Sequence, residues 1–330
     1  MKPNLILSAS ILLAALLSAA LLPSDSAAQE RRKLRITNAG FTITALPLLA
    51  AQEWKIFNAN GLDMEVILMQ STLVPPALTQ GDIDYQAGVG PASVNATMSG
   101  FATRAIWFST ERISYWIMAK PQFKTVESLK GKKVAVTGLG GTVHVALNMA
   151  LEKVGANPRD FVLVSIGGQQ IQQLISLESG YVDAAVLSPP VTLGALKKGF
   201  SKVLDVGALV EMPGGGLTTL AKTIQERPAD TKRVIRSLQM AKEEVRKSKP
   251  RSLDLIVKLL RMDREAASET YDEFVKSLST TGVPTRAGID VLVKSVQSQG
   301  RHLDKKPAFT DLADDRLALE VAKEMGYKIP

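Results

Sequence analysis

The run Gly138-Leu139-Gly140-Gly141-Thr142 lies between a strand pattern and a helical one, a place where a chain binds a negative group without any catalytic residue. Unpaired backbone N–H groups and the helix dipole both favour an anion at such a helix start, and the Thr142 hydroxyl and His144 ring add side-chain donors. A nucleotide-cradling loop would end in Gly-Lys-Ser/Thr, which this run lacks. The competing reading is a tight strand-to-helix turn whose glycines only permit close packing. Gly40-Phe41-Thr42 follows an earlier strand pattern, and there the Phe41 ring offers a surface on which a planar or apolar ligand could stack, or serves the core. Ser71-Thr72, Gly90-Pro91-Ala92, Gly167-Gly168-Gln169 and Ser188-Pro189-Pro190 follow the remaining strand patterns, at the carboxyl ends where open parallel sheets bind ligands. Trp107 reads either as an aromatic facing the cleft or as a buried one. Arg104 and Arg112 are cations that periodicity does not place.

Other chemistries are poorly supplied. There is no cysteine, and His144 and His302 stand far apart, so a His/Cys metal site and a structural disulfide are both excluded. No Gly-x-Ser-x-Gly elbow supports a serine hydrolase. Asp84 and Asp183 invite a paired-carboxylate reading, but each follows a glycine by three residues and opens a strand, which is a turn position. The expectation is therefore a binding protein, not an enzyme, that uses no cofactor. The balance of 40 Lys+Arg against 32 Asp+Glu gives +8, which suits an anionic partner, yet no basic block interleaved with aromatics appears and nucleic acid is not expected.

These candidate residues are positioned by an element pattern that occurs twice. Gly81, Asp84, Pro91, Gly100 and Phe101 recur 99 residues later as Gly180, Asp183, Pro190, Gly199 and Phe200. In the first copy, alternation and spacing predict strands over 33–38, 64–69 and 85–89 with helices over 46–58 and 73–80. The second copy has strands over 132–137, 161–166 and 184–187 with helices over 143–154 and 170–179. Strand alternating with helix, twice over, predicts an α/β protein of two lobes, each a mainly parallel sheet flanked by helices, with a ligand cleft between them. Residues 113–119 read as a strand leaving the first lobe, with the connector starting at Lys120-Pro121. The return falls at Glu211-Met212-Pro213-Gly214-Gly215-Gly216, and from residue 228 onward the pattern is helical. The predicted division is thus 29–119 in lobe one, 120–212 in lobe two, and 213–330 back in lobe one. Two crossings between lobes make a hinge.

The first 28 residues read as an export signal. Lys2 precedes an apolar run over 5–22, and Ser26-Ala27-Ala28 offers small residues for cleavage after Ala28. An uncleaved anchor is the alternative, since the run approaches the length of a membrane span. With no cysteine to carry a lipid, the expected mature chain is free in the periplasm.

The stretches Leu46-Pro47-Leu48-Leu49-Ala50-Ala51, Gly61-Leu62-Asp63-Met64-Glu65-Val66 and Ala77-Leu78-Thr79-Gln80-Gly81-Asp82-Ile83-Asp84 carry a resemblance to a known family. So do Leu129-Lys130-Gly131-Lys132-Lys133-Val134-Ala135-Val136 and Gly180-Tyr181-Val182-Asp183-Ala184-Ala185. Over residues 34–226 the chain resembles the type II periplasmic solute-binding proteins of ABC importers, in the group that binds alkanesulfonates, taurine, nitrate and thiamine pyrimidine precursors. The resemblance implies a monomer that captures a small molecule and passes it to an inner-membrane ABC permease. A periplasmic sensor subunit and a thiamine-pyrimidine-synthase-like enzyme are the alternatives that share the scaffold. The motifs support turns, so they leave the ligand open between an organic anion and a bare oxyanion, with the apolar Phe41, Ile43 and Leu46 leaning towards a carbon skeleton.

Overall fold

The computed structural model describes residues 33–40, 42–70, 73–139, 142–167 and 170–329. The proposed export signal over 1–28 lies outside them. Among the described residues ten strands form two sheets of five. The first sheet holds β1 (Lys33–Asn38), β2 (Asp63–Leu68), β3 (Tyr85–Ala87) and β4 (Thr103–Phe108). The second holds β5 (Trp116–Ala119), β6 (Lys133–Val136), β7 (Val162–Ser165), β8 (Ala184–Leu187) and β9 (Ser201–Asp205). The last strand, β10 (Gly216–Leu220), returns to the first sheet.

The strand orders β2-β1-β3-β10-β4 and β7-β6-β8-β5-β9 follow one plan. In each, three parallel strands come from one copy of the repeated pattern, as in the registers Ile36↔Val66 and Ile36↔Tyr85 and, in the other sheet, Val134↔Leu163 and Val134↔Ala184. A single antiparallel strand is inserted fourth, β10 against β3 and β4, or β5 against β8 and β9. That inserted strand is the one the chain enters on arriving from the other sheet.

Two sequence expectations change here. Residues 113–119 do not close the first lobe: β5 pairs with β8 and β9 in the second sheet. All four residues of β5 are buried, so its pattern does not say which sheet it joins. The crossing therefore precedes Trp116. The glycine-rich return leads straight into β10, with Met212 and Leu217 fully buried. Gly216 makes that approach possible, because a Cβ there would lie 2.2 Å from the Trp107 carbonyl oxygen and 2.7 Å from Val89. The helix expected over 46–58 is also two pieces, Leu46–Glu53 and Ile56–Ala59, broken where Lys55 takes a left-handed φ of 56°.

Helices after residue 228 pack against the first sheet and its flanking helices. Val234, Ile235, Leu238, Ala241 and Val245 of the helix Pro228–Lys247 lie in one buried cluster with Leu34, Ile36, Leu46 and Trp107. Ile289, Leu292 and Val296 of Arg286–Gln297 cover Val94 and Met98 of the helix Pro91–Met98. Among the described residues no helix is long and apolar enough to cross a membrane.

Candidate functional site

The carboxyl ends of the parallel strands in both sheets open onto a common cavity of about 300 Å³. Ile43 and Thr44 reach it from the turn after β1, and Val89, Gly90 and Pro91 from the turn after β3. From the second sheet come Thr142, which starts the helix Thr142–Lys153 after β6, and Ser188 and Pro189 after β8. The first crossing contributes Arg112 to Tyr115 and the second Pro213 and Gly214. The helix Arg264–Ser277 closes one side with Thr270, Phe274 and Ser277. Two further cavities adjoin. One of about 400 Å³ shares Val89, Gly90, Pro91 and Thr142 and extends to Gln299 and Arg301; another of about 220 Å³ shares Thr44 and Gly214 and runs back towards Trp107.

Five of the residues singled out in the sequence, Gly90, Pro91, Thr142, Ser188 and Pro189, thus meet at the central cavity from two sheets. Ala92 lines the second cavity, and Gly40 and Thr42 the third. Phe41, Ser71, Thr72, Gly140, Gly141, Gly168 and Gln169 lie outside the described residues. Local bonds set the turns: Ser93 Oγ accepts from the Gly90 N–H at 3.1 Å, opening the Pro91–Met98 helix. In the second sheet the Gln170 side-chain oxygen accepts from both the Ser188 N–H, at 2.6 Å, and its hydroxyl, at 2.9 Å.

Two candidates fall elsewhere. Trp107 borders the third cavity but not the central one; it is 2% exposed, and its indole N–H donates to Gln239 Oε1 at 2.9 Å. A large aromatic flanked by the buried Ile106 and Phe108, on an edge strand covered by helices, is better used as core. His144 lines none of these cavities. Asn148 Nδ2 lies 3.1 Å from its Nε2, and burial lowers the ring's pKa, so near neutral pH it is an uncharged imidazole and not a cation for an anion.

The lining residues that sequence reasoning did not place include Thr44, Arg112, Ser114, Tyr115, Thr270, Phe274 and Ser277. Arg112 donates to Glu211 Oε1 at 3.4 Å, joining the two crossings. Arg104, the other unplaced cation, is spent on the carbonyls of Thr310 and Thr103, each at 2.9 Å. Thr270, Phe274 and Ser277 recur at helical spacing of four and three, a readable face of a helix, but nothing local says what that face meets. Burial raises the pKa of Tyr115, which stays a neutral phenol. Overall the cavity offers hydroxyls, apolar walls and one guanidinium. Among the described residues no cluster of His, Asp or Glu could hold a metal ion.

Asp84 and Asp183 sit at the opposite ends of their strands from the cavity and serve the turns. Asp84 accepts from the Arg35 N–H at 2.9 Å and from Arg227 at 2.6 Å; Asp183 accepts from the Lys133 N–H at 3.1 Å and from Lys120 at 2.8 Å.

Comparison with known proteins bears on what such a cavity holds. Residues 43–247 match the family model described as NMT1/THI5 like. A protein of Brucella abortus (strain 2308) described as a binding protein is 26% identical over 249 residues, which cover 73% of this chain and 74% of that one. The crystal structure of the periplasmic aliphatic sulphonate binding protein SsuA from Escherichia coli superposes with a TM-score of 0.73 at 17% identity, covering 88% of this chain and 100% of that one. The desulfurization enzyme DSZB superposes with a TM-score of 0.62 at 15% identity over 89% of this chain and 100% of the enzyme. At these identities the structural likenesses establish a shared fold, and the same fold serves a binding protein and an enzyme.

Proposed function

The chain belongs to the NMT1/THI5-like family, and from that premise we propose that it is an exported solute-binding protein that captures a small organic anion between its two sheets and delivers it to an ABC-type permease. The observation that carries this reading is the origin of the cavity walls. Turns of both sheets and both crossings contribute to one cavity, so a bound solute would bridge the halves and draw them together. In this reading the two sheets act as lobes, crossing between Phe108 and Trp116 and again between Leu209 and Gly216. Residues 1–28 direct export and are removed, the mature chain works in the periplasm as a monomer, and no cofactor takes part.

The wall chemistry supports binding over turnover. Among the described residues the central cavity carries neither a carboxylate nor a histidine that could act as general base, and its polar groups are mainly hydroxyls and backbone. Titration calorimetry and thermal shift of the purified protein against alkanesulfonates, nitrate, pyrimidines and aromatic acids test the reading. A captured solute present at about 100 times its dissociation constant should add about 2.7 kcal/mol of stability. Absence of stabilisation by every solute in that panel counts against capture, and turnover of any of them would move the chain to the enzyme side of its fold.

A further inference from the structure

Among the described residues, Arg112 is the one charged side chain lining the central cavity. Facing it are Ile43, Val89, Ile113 and Phe274 together with a few hydroxyls. Among the described residues no carboxylate lines this cavity to receive an ammonium group, so cations and zwitterions are disfavoured, and no second cation lines it to receive a second negative charge, Arg301 belonging to the adjoining cavity. On its other side Arg112 borders a smaller cavity of about 170 Å³ that does contain carboxylates, Asp205 and Glu273. Both are already paired, Asp205 with Lys202 at 2.8 Å and Glu273 with Lys276 at 2.7 Å. The partner left to Arg112 is Glu211, through a single 3.4 Å contact between side chains that are 45% and 64% exposed. An ion pair so long and so wet is weak, and its guanidinium exchanges partners at small cost. Glu211 does not line the cavity, but it demonstrates that the Arg112 fork is presented to a carboxylate.

We propose that Arg112 is the specificity residue of this cavity, taking the carboxylate of a compact apolar monoanion in exchange for Glu211, so that recognition of the ligand's charge releases the ion pair between the two crossings. This rests on the solute-capture reading and adds to it a ligand class and a latch. A planar carboxylate can occupy two N–H groups of the fork where Glu211 occupies one. A cavity of about 300 Å³ has room for a body the size of a substituted ring. The latch has a stated consequence: deleting Glu211 removes a competitor for the guanidinium, so anion affinity should rise and not fall.

Benzoate and its neutral isostere benzamide test this by calorimetric titration into the wild type, R112Q, R112K and E211Q, with melting temperatures recorded to confirm that each variant folds. Benzoate should bind the wild type about tenfold or more tightly than benzamide, and R112Q should narrow that ratio to about twofold, with R112K between them. E211Q should tighten benzoate about two- to fivefold while leaving benzamide unchanged. Equal affinity of the two probes for the wild type, an undiminished benzoate preference in R112Q, or weaker benzoate binding in E211Q overturns the assignment. If neither probe binds but another solute does, and R112Q leaves that binding unchanged, the assignment fails while solute capture stands. If no solute binds at all, both fail.

Discussion

Asp84 and Asp183, 99 residues apart, hold the same position in the two sheets. Each accepts on Oδ2 the N–H of a residue early in the first strand of its repeat, Arg35 or Lys133, and each donates its own N–H to that residue's carbonyl at 2.9 Å. Each gives its other oxygen to a cation from outside the repeat: Arg227, which enters the helix Pro228–Lys247, and Lys120, which follows β5. The repeated aspartate is therefore a clasp that ties the third parallel strand to the first and fastens a later segment over the join. It explains the recurrence of the residue in both copies by a need of the backbone, with no reference to a ligand.

Loss of that clasp should be costly at neutral pH and cheap in acid. Burial alone would raise the pKa of Asp183, but hydrogen bonds from Lys120 and the Lys133 N–H, with the charges of Lys120 and Lys132, more than offset it and hold the carboxyl below its ordinary 3.8. A depressed folded-state pKa contributes stability that is complete above the ordinary value and is lost as pH falls through the folded one. D183N is expected to lower unfolding free energy by about 1–3 kcal/mol at pH 7, with the deficit closing below about pH 4. Denaturant unfolding of wild type and variant at pH 7 and pH 3.5 measures this, and a deficit independent of pH would assign the effect to packing.

What was readable from the sequence and what was not divide along physical lines. The parallel strands and their turns were readable because alternation and helix-ending glycines are local signals, and those turns include Gly90, Pro91, Thr142, Ser188 and Pro189 at the cavity. Gly81 and Gly180, with φ of 82° and 80°, are the plainest case. The sheet to which β5 belongs was not readable, since four buried residues fit either core. Nor was the approach of the helix Arg264–Ser277, because Thr270 and Phe274 meet Ile43 and Ile113 only through tertiary packing across more than a hundred residues. Trp107 was ambiguous because a buried indole and a cleft-facing one carry the same sequence signal; Gln239, its hydrogen-bond partner, lies 132 residues away.

Gly207 should be far less tolerant of a methyl group than Gly194. A Cβ at 207, in the short helix Val206–Leu209 that leads into the second crossing, would fall 1.9 Å from the Ile113 carbonyl oxygen in the first, whereas at 194 nothing lies within 4 Å. G207A is expected to cost about 1–3 kcal/mol and to shift solute affinity, because Ile113 lines the cavity. G194A, inside the helix Val191–Lys197, should be neutral or stabilising by about 0.5–1 kcal/mol. Melting temperatures of the pair, with titration of any captured solute, distinguish a hinge contact from a general intolerance of added volume.

Filling the cavity should separate binding from folding. Thr44 is exposed, lines both the central cavity and the one running towards Trp107, and its hydroxyl contacts only Thr42 among the described residues, at 2.9 Å. A tryptophan at this position occupies ligand space without displacing core. T44W is expected to weaken a captured solute by about tenfold or more while changing stability by less than about 1 kcal/mol. Unchanged affinity in a folded T44W would move the ligand out of this cavity.

Lys242 should make stability rise with pH on the alkaline side of neutrality. It is fully buried, donates to the Ser279 carbonyl at 2.6 Å, and stands 5.7 Å from the Trp107 ring. Burial lowers its pKa to about 7, Glu243 and Glu111 opposing the fall and Arg246 adding to it. The folded chain then gives up this proton more readily than the unfolded chain, which still carries it up to about pH 10.4. Between those values the unfolded state binds more protons, so stability rises with pH, by up to about 1.4 kcal/mol per unit for this one group. Below pH 7 both states are charged and the cost of burying the ammonium is borne in full. K242M removes the charge and should remove the slope: the stability of the wild type relative to K242M should improve steadily from pH 7 to pH 9. A relative stability that stays flat over that range would mean that Lys242 keeps its proton in the folded state, held by the Ser279 and Thr280 carbonyls against its burial.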